Sequence, residues 1–185
     1  MRVQSFLAFF LVVIIAAGCT DKANPVSILP VTIDSTAAPA GKLVFVRAGK
    51  RFESDDYFKD TSGIYHGAYA FYQVSTNELS IYGRKEGSAS EVIHLTTKVP
   101  TQQEAPFNVS NYTIEYQDGI ILKSKAFQTD AQHFGKYRMS KFDLGAGLVS
   151  GTFESVLIQT FPIDKKDSTE IKHGSFTDLH MIIMD

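Results

Sequence analysis

The chain has 185 residues, of which 44% are hydrophobic and 21% charged, and a formal net charge of −2. That length suits one domain with a normal core, and the composition excludes a collagen, a coiled coil and wholesale disorder. The near-neutral balance speaks against a nucleic-acid partner, which needs a basic field, and a lone cysteine excludes an intramolecular disulfide.

Arg2 is the only charge before Asp21, and Phe6 to Ala17 is an unbroken apolar run. A positive start, a short apolar core and small residues before Cys19 make a secretory signal over residues 1–18. The run is too short to span a bilayer, which takes about 20 apolar residues. The segment Ile15 to Cys19 resembles a bacterial lipoprotein signal, with Ala16 where such signals usually carry Leu. The resemblance implies that Cys19 is acylated, with fatty acids such as palmitate, and becomes the new N-terminus. The expected partner is therefore membrane lipid, held through Cys19. Ordinary cleavage after Gly18 is the rival reading, but it leaves a reactive thiol at the N-terminus of an exported protein.

Residues 20–41 read TDKANPVSILPVTIDSTAAPAG and hold three of the six prolines. With Cys19 they are expected to form a flexible tether over 19–41. It would reach roughly 25 Å as a coil and set the domain clear of the headgroups. Asp34-Ser35-Thr36 looks like an O-glycosylation acceptor of Bacteroidota, with Ser35 as the candidate residue.

From Lys42 to Asp185 the pattern predicts one all-β domain. Short apolar runs recur between turn residues: 43–48, 64–74, 79–84, 91–97, 112–117, 120–125, 137–142, 148–159, 169–172 and 176–184. Thr76-Asn77-Glu78 and Asp118-Gly119 read as hairpin turns. Gly87–Ser90 and Lys98–Phe107 read as loops. No window keeps a helical apolar period, so no long helix is expected. The spacing suits an antiparallel β-sandwich, with an open or closed lipocalin-like barrel as the alternative.

The C-terminal third carries Lys141-Phe142-Asp143, then Leu148 to Glu154 (LVSGTFE), then Ile171 to Phe176 (IKHGSF). Over residues 137 to 180 this resembles a group of uncharacterised β-rich lipoproteins of Bacteroidota. The resemblance implies compartment and class and brings no established activity. Gly151 and Gly174 suit a bulge or turn, and Phe153 and Phe176 suit core positions.

Chemistry-bearing residues are sparse. Asp178 and His180 would share a face by strand alternation, and Asp55, Asp56 and Asp60 sit in one acidic loop. Both patterns read better as solvated polar surface than as metal sites. Glu115, Asp143, Glu154 and Asp178 offer carboxylates for a hydrolase, but no nucleophile elbow or phosphate loop accompanies them. No cofactor is expected. The aromatics are denser: Tyr57, Phe58, Tyr65, Tyr69, Phe71, Tyr72 and Tyr82 fall within 26 positions. Tyr65, Tyr69 and Phe71 share a strand face and are the candidate ligand platform. Their bulk, against Ile64, Ala68 and Val74 on the other face, argues instead that Tyr69 and Phe71 fill the core. The expected function is a non-enzymatic binding or interaction module of the cell envelope, on the periplasmic side of the outer membrane. A glycan-binding accessory protein using Tyr57–Tyr82 is the alternative, and a carboxylate-dependent hydrolase stands behind both.

Overall fold

The computed structural model describes residues 37–87, 89–98, 105–118, 120–130, 132–133, 135–163 and 167–185. Cys19, Ser35 and the expected signal segment lie outside the described residues. Among the described residues there are twelve strands and no helix. They are β1 (Lys42–Arg47), β2 (Lys50–Glu53), β3 (Phe58–Lys59), β4 (Tyr65–His66), β5 (Ala68–Gln73) and β6 (Glu78–Lys85). After them come β7 (Ala89–Lys98), β8 (Ala105–Asp118), β9 (Ile121–Gln128), β10 (Gly135–Asp143), β11 (Leu148–Phe161) and β12 (Ser168–Met184). The protein is all-β, as its sequence predicts.

Ten strands form one sheet in the order β10-β11-β9-β8-β7-β6-β5-β12-β1-β2, while β3 and β4 pair separately. Every pairing is antiparallel except β5 with β12. Because β11 also pairs with β12, the circuit from β5 through β6, β7, β8, β9, β11 and β12 returns to β5. The sheet thus curls on itself around its apolar face. The layout is compatible with a sandwich and is not a clean barrel.

Alternation sets the inward face. On β6, Leu79, Ile81 and Gly83 are buried, and on β7, Ile93, Leu95 and Thr97. Phe45 stacks on Phe52 at 4.4 Å and meets Tyr112 and Phe153 edge-on at 5.7 and 6.2 Å. These contacts join β1, β2, β8 and β11 across one interior. Ala38 is buried and its N–H donates to Ser175 Oγ, so packing begins ahead of Lys42.

The two glycine motifs of the C-terminal third have a reciprocal role. Gly151 pairs with Phe176, and Phe153 pairs with Gly174. A Cβ on Gly151 would sit 2.7 Å from Phe176 Cζ, and one on Gly174 would sit 2.8 Å from Phe153 Cδ1. Each phenyl ring lies in the space left by the glycine opposite, as aromatic residues do when they cover bare strand backbone. Gly135 and Phe107 repeat the arrangement. Both glycines also flank register shifts in the β11–β12 pairing, as the expected bulge role requires. The left-handed residues of β12 are His173 and Asp178, at φ 51 and 47.

Four boundaries differ from expectation, the first being that β7 begins at Ala89 inside the predicted loop 87–90. The run 64–74 breaks at Gly67, whose φ of 72 ends β4 and starts β5. Ile64 and Val74 flank it at 54% and 49% exposure, so neither joins the core. The runs 169–172 and 176–184 are one strand, and β8 begins inside the predicted loop 98–107.

Tyr112 is fully buried, yet its hydroxyl donates to Glu91 Oε2 and its ring lies 5.3 Å below the Arg47 guanidinium. Burial first, and the Glu91 carboxylate second, push its ionisation far up, so it remains a donor at any physiological pH. Tyr112→Phe strands that carboxylate and is expected to cost about 1–2 kcal/mol in urea unfolding. A loss indistinguishable from zero would mean that Glu91 turns to water instead.

Candidate aromatic binding face

The outward face of β5, β6 and β7 carries the second concentration of rings. Tyr69, Tyr82 and His94 are register partners across the three strands. Their rings stack in sequence, Tyr69 on Tyr82 at 5.1 Å and 14°, Tyr82 on His94 at 4.1 Å and 10°. That spacing is close to the distance between neighbouring strands, so the rings stand on edge like teeth of a comb. Their faces cover one another, and the edges are left to meet a partner. Phe71 meets Tyr69 and Tyr82 edge-on at 5.5 and 5.8 Å. Tyr65 closes the row at 5.3 Å from Tyr69 and 5.4 Å from Phe71. Tyr57 leans in from the β2–β3 loop, 6.2 Å from Tyr69 and 4.9 Å from His180 on β12.

The residues of this strip are half-buried, apart from the exposed His180, and none belongs to the interior cluster. Tyr65, Tyr69 and Phe71 do share one face as predicted, but that face is outward. The core role argued for Tyr69 and Phe71 from their bulk is corrected. The inward face of β5 carries Ala68, Ala70 and Tyr72. Curvature supplies the reason: the concave side of a curled sheet is crowded and takes alanines beside Leu79 and Ile81, while the convex side spreads and accepts rings. Tyr72 also leaves the predicted cluster. It is buried inward, edge-on to Phe142 at 5.1 Å, with its hydroxyl donating to Asn77 Oδ1.

Gly67 positions the strip. A Cβ there would lie 2.2 Å from the Asp56 carbonyl oxygen, so only glycine lets the β2–β3 loop press against β5. Asp55 fixes the same loop from both sides, its N–H donating to the Arg84 carbonyl and its carboxylate accepting the Glu86 N–H at 2.7 Å. Burial among neighbouring rings raises the hydroxyl pKa of Tyr69 and Tyr82 and lowers that of the His94 imidazole. These shifts favour the uncharged forms of Tyr69, Tyr82 and His94, and the tyrosine hydroxyls serve as donors and acceptors.

Beside it stands a small charged latch. His66 stacks on Phe58 at 4.3 Å, with Nε2 3.0 Å from Asp60 Oδ2 and Nδ1 3.2 Å from Glu86 Oε1. Asp60 also accepts the N–H groups of Ser62 and Ile64, capping its own turn. The bond to Asp60, and then Glu86, raise the His66 pKa above 6.5, and Asp60 is lowered in return. A raised histidine pKa gives stabilisation that is fully present below the unfolded value and fades as pH rises through the folded one. The β3–β4 hairpin is expected to loosen as pH rises through the raised His66 midpoint. An NMR titration should place the His66 midpoint above 6.5, and Asp60→Asn should bring it down. A wild-type midpoint at or below 6.5 would show that the latch does not form.

The other candidates are dispersed. Asp55 and Asp60 act as described, and Asp56 pairs with Lys42 at 2.8 Å. Asp178 sits in a bulge and pairs with Lys141 at 2.9 Å, while His180 faces Tyr57. The bulge breaks the alternation that would have joined Asp178 and His180. Asp143 caps the β10–β11 turn through the Ala146 N–H, and Glu115 and Glu154 are exposed on β8 and β11. Among the described residues no group of three or more metal-ligating side chains converges. A cleft of about 550 Å³ lies between Ala37, Tyr137, Phe153, Glu154 and His173, adjoining the first described residue. His94 and His180 complete the strip and escape a reading of the aromatics alone. The alternation of Val92, His94 and Thr96 does point His94 outward, but nothing in the sequence names its neighbour.

No family model, no curated protein and no solved structure matches the chain.

Proposed function

We propose that the chain is a non-enzymatic lipoprotein of the cell envelope, anchored through Cys19 and facing the periplasm from the outer membrane. Its β domain binds a partner on the strip formed by Tyr57, Tyr65, Tyr69, Phe71, Tyr82, His94 and His180. The observation that carries this reading is that the rings stand outside the interior cluster on a sheet whose core is already complete without them. Tyrosines supply large, rigid contact area with a hydrogen-bonding tip, the chemistry enriched at binding surfaces. The edge-on comb favours an interaction surface over a flat sugar platform, because the ring faces are occupied by one another. Glycan binding keeps one specific support, the half-exposed Phe58 ring lying flat on His66.

Photocrosslinking in cells tests the proposal. A benzoylphenylalanine placed at Phe71 is expected to give a discrete adduct, and one placed at exposed Lys85 to give none. Equal labelling from both positions, or no adduct from Phe71 together with a blank glycan array, would contradict it. The anchor is tested separately: labelling with a clickable fatty acid should vanish in Cys19→Ala, and label that persists removes Cys19 from the account.

A further inference from the structure

Two turns project from the same end of the sheet. β9 runs antiparallel to β11, with Gln128 opposite Ile158 and Ala126 opposite Phe161. The start of β9 therefore lies beyond Phe161, on the side where β11 turns back into β12. Among the described residues, both turns carry exposed apolar side chains. Ile120, Ile121 and Leu122 are 101%, 59% and 68% exposed, and Phe161 and Ile163 are 51% and 84% exposed. Apart from Phe161 these side chains are aliphatic, and none is the tryptophan, tyrosine or arginine that most often anchors a protein interface. Lys123 pairs with Asp118 beside the first turn, and the sequence of the second also holds Asp164, Lys165, Lys166 and Asp167.

The chain enters the domain from that same end. The Ala38 N–H reaches Ser175, and Ala40 bridges in parallel with Thr177. The backbone thus runs alongside β12 in its own direction, coming from the Ser168 side where β12 leaves the β11–β12 turn. Seventeen residues separate Cys19 from Ala37.

We propose that this end of the domain seats on the lipid bilayer that holds the anchor, with Ile120, Ile121, Leu122, Phe161 and Ile163 inserted among the acyl chains. The inference rests on the lipoprotein reading above, and it replaces a domain held clear of the headgroups with one docked tips-down. Burial of such side chains at the boundary adds to a covalent lipid in the way that a second membrane signal does. Docking in this pose fixes the aromatic strip at a set height above the membrane and prevents free rotation on the tether.

The chain has no tryptophan, so one introduced indole reports alone. Ile120→Trp and Val74→Trp are made in the full acylated chain and reconstituted into vesicles of phosphatidylethanolamine and phosphatidylglycerol carrying brominated acyl chains. Val74 lies at the opposite end, where its N–H donates to the Met184 carbonyl. Ile120→Trp is expected to be quenched by more than about half, and Val74→Trp to stay near its value in water. Equal quenching of the two, or an indole at Ile120→Trp that stays in water, overturns the pose. A protein partner on the tips would leave that indole unquenched, and so counts against it too. In the non-acylated Cys19→Ser chain, excess vesicles should still blue-shift Ile120→Trp, and Leu122→Asp should reduce that partition at least tenfold. No blue shift, or one that Leu122→Asp leaves unchanged, also overturns insertion. Flotation of the wild-type chain reads the anchor independently: if it floats while the Ile120→Trp indole stays in water, the anchor stands and the seating falls.

Discussion

Phe153→Ala is expected to cost about 3–5 kcal/mol, the range for truncating a fully buried phenylalanine. Phe153 is 2% exposed and sits where several elements meet. Its ring contacts Phe45 at 6.2 Å, Phe107 at 6.1 Å and Phe176 at 6.3 Å, joining β1, β8 and β12 to β11. It also covers Gly174, so its loss opens backbone as well as leaving a cavity. Relaxation is poor at such a site, because the missing Cβ at Gly174 leaves nothing to move in. Denaturant unfolding measures the loss, and a value under about 1 kcal/mol would remove Phe153 from the interior.

Gly67→Ala is expected to rank next, and for a different cause. The φ of 72 costs an L-residue about 1–2 kcal/mol by itself. The added Cβ would then meet the Asp56 carbonyl oxygen at 2.2 Å and the Asp55 carbonyl oxygen at 2.7 Å. Backbone must give way, so the β2–β3 loop with Tyr57 is expected to lift off the strip. Gly49 is the matched control. Its φ is 73, but nothing lies within 4 Å of its virtual Cβ. Gly49→Ala should show only the conformational part. A thermal melt of the two variants, with trypsin cleavage at Lys59 as the local readout, separates strain from clash. Equal melting temperatures and equal cleavage would mean that the loop does not rest on Gly67.

Much of the fold is legible because strands declare themselves by alternation and turns by composition. Val92 to Thr97 alternates cleanly, and Ile93, Leu95 and Thr97 are the ones that turn inward. Thr76-Asn77-Glu78 marks the β5–β6 turn, where Asn77 takes a φ of 54. What alternation leaves open is which face is inside. For β5 the two faces are Tyr69 and Phe71 against Ala68, Ala70 and Tyr72, and bulk alone points the wrong way. The decision belongs to the curvature of the sheet, set by pairings such as β5 with β12 that join residues far apart in the chain. Bulges are hidden for a similar reason. His173 and Asp178 adopt left-handed backbone without glycine, because long pairing on both edges of β12 overdetermines them. The candidate site follows suit: its strand residues are legible as a group, but the contributions of Tyr57 and His180 depend on a loop folding back over β12.

The outward aromatic strip is the centre of the account, and Tyr69→Ala addresses it most directly. Tyr69 makes ring contacts with Tyr57, Tyr65, Phe71 and Tyr82 but none with the interior cluster. Losing it should cost only about 0.5–1.5 kcal/mol, the scale of an aromatic pair outside the core, well short of the loss at Phe153. Measured beside crosslinking from the Phe71 position, the variant is expected to unfold close to the wild-type midpoint while the adduct disappears. A loss of 3 kcal/mol or more, with the adduct intact, would make the strip a second core and contradict its role as a binding face.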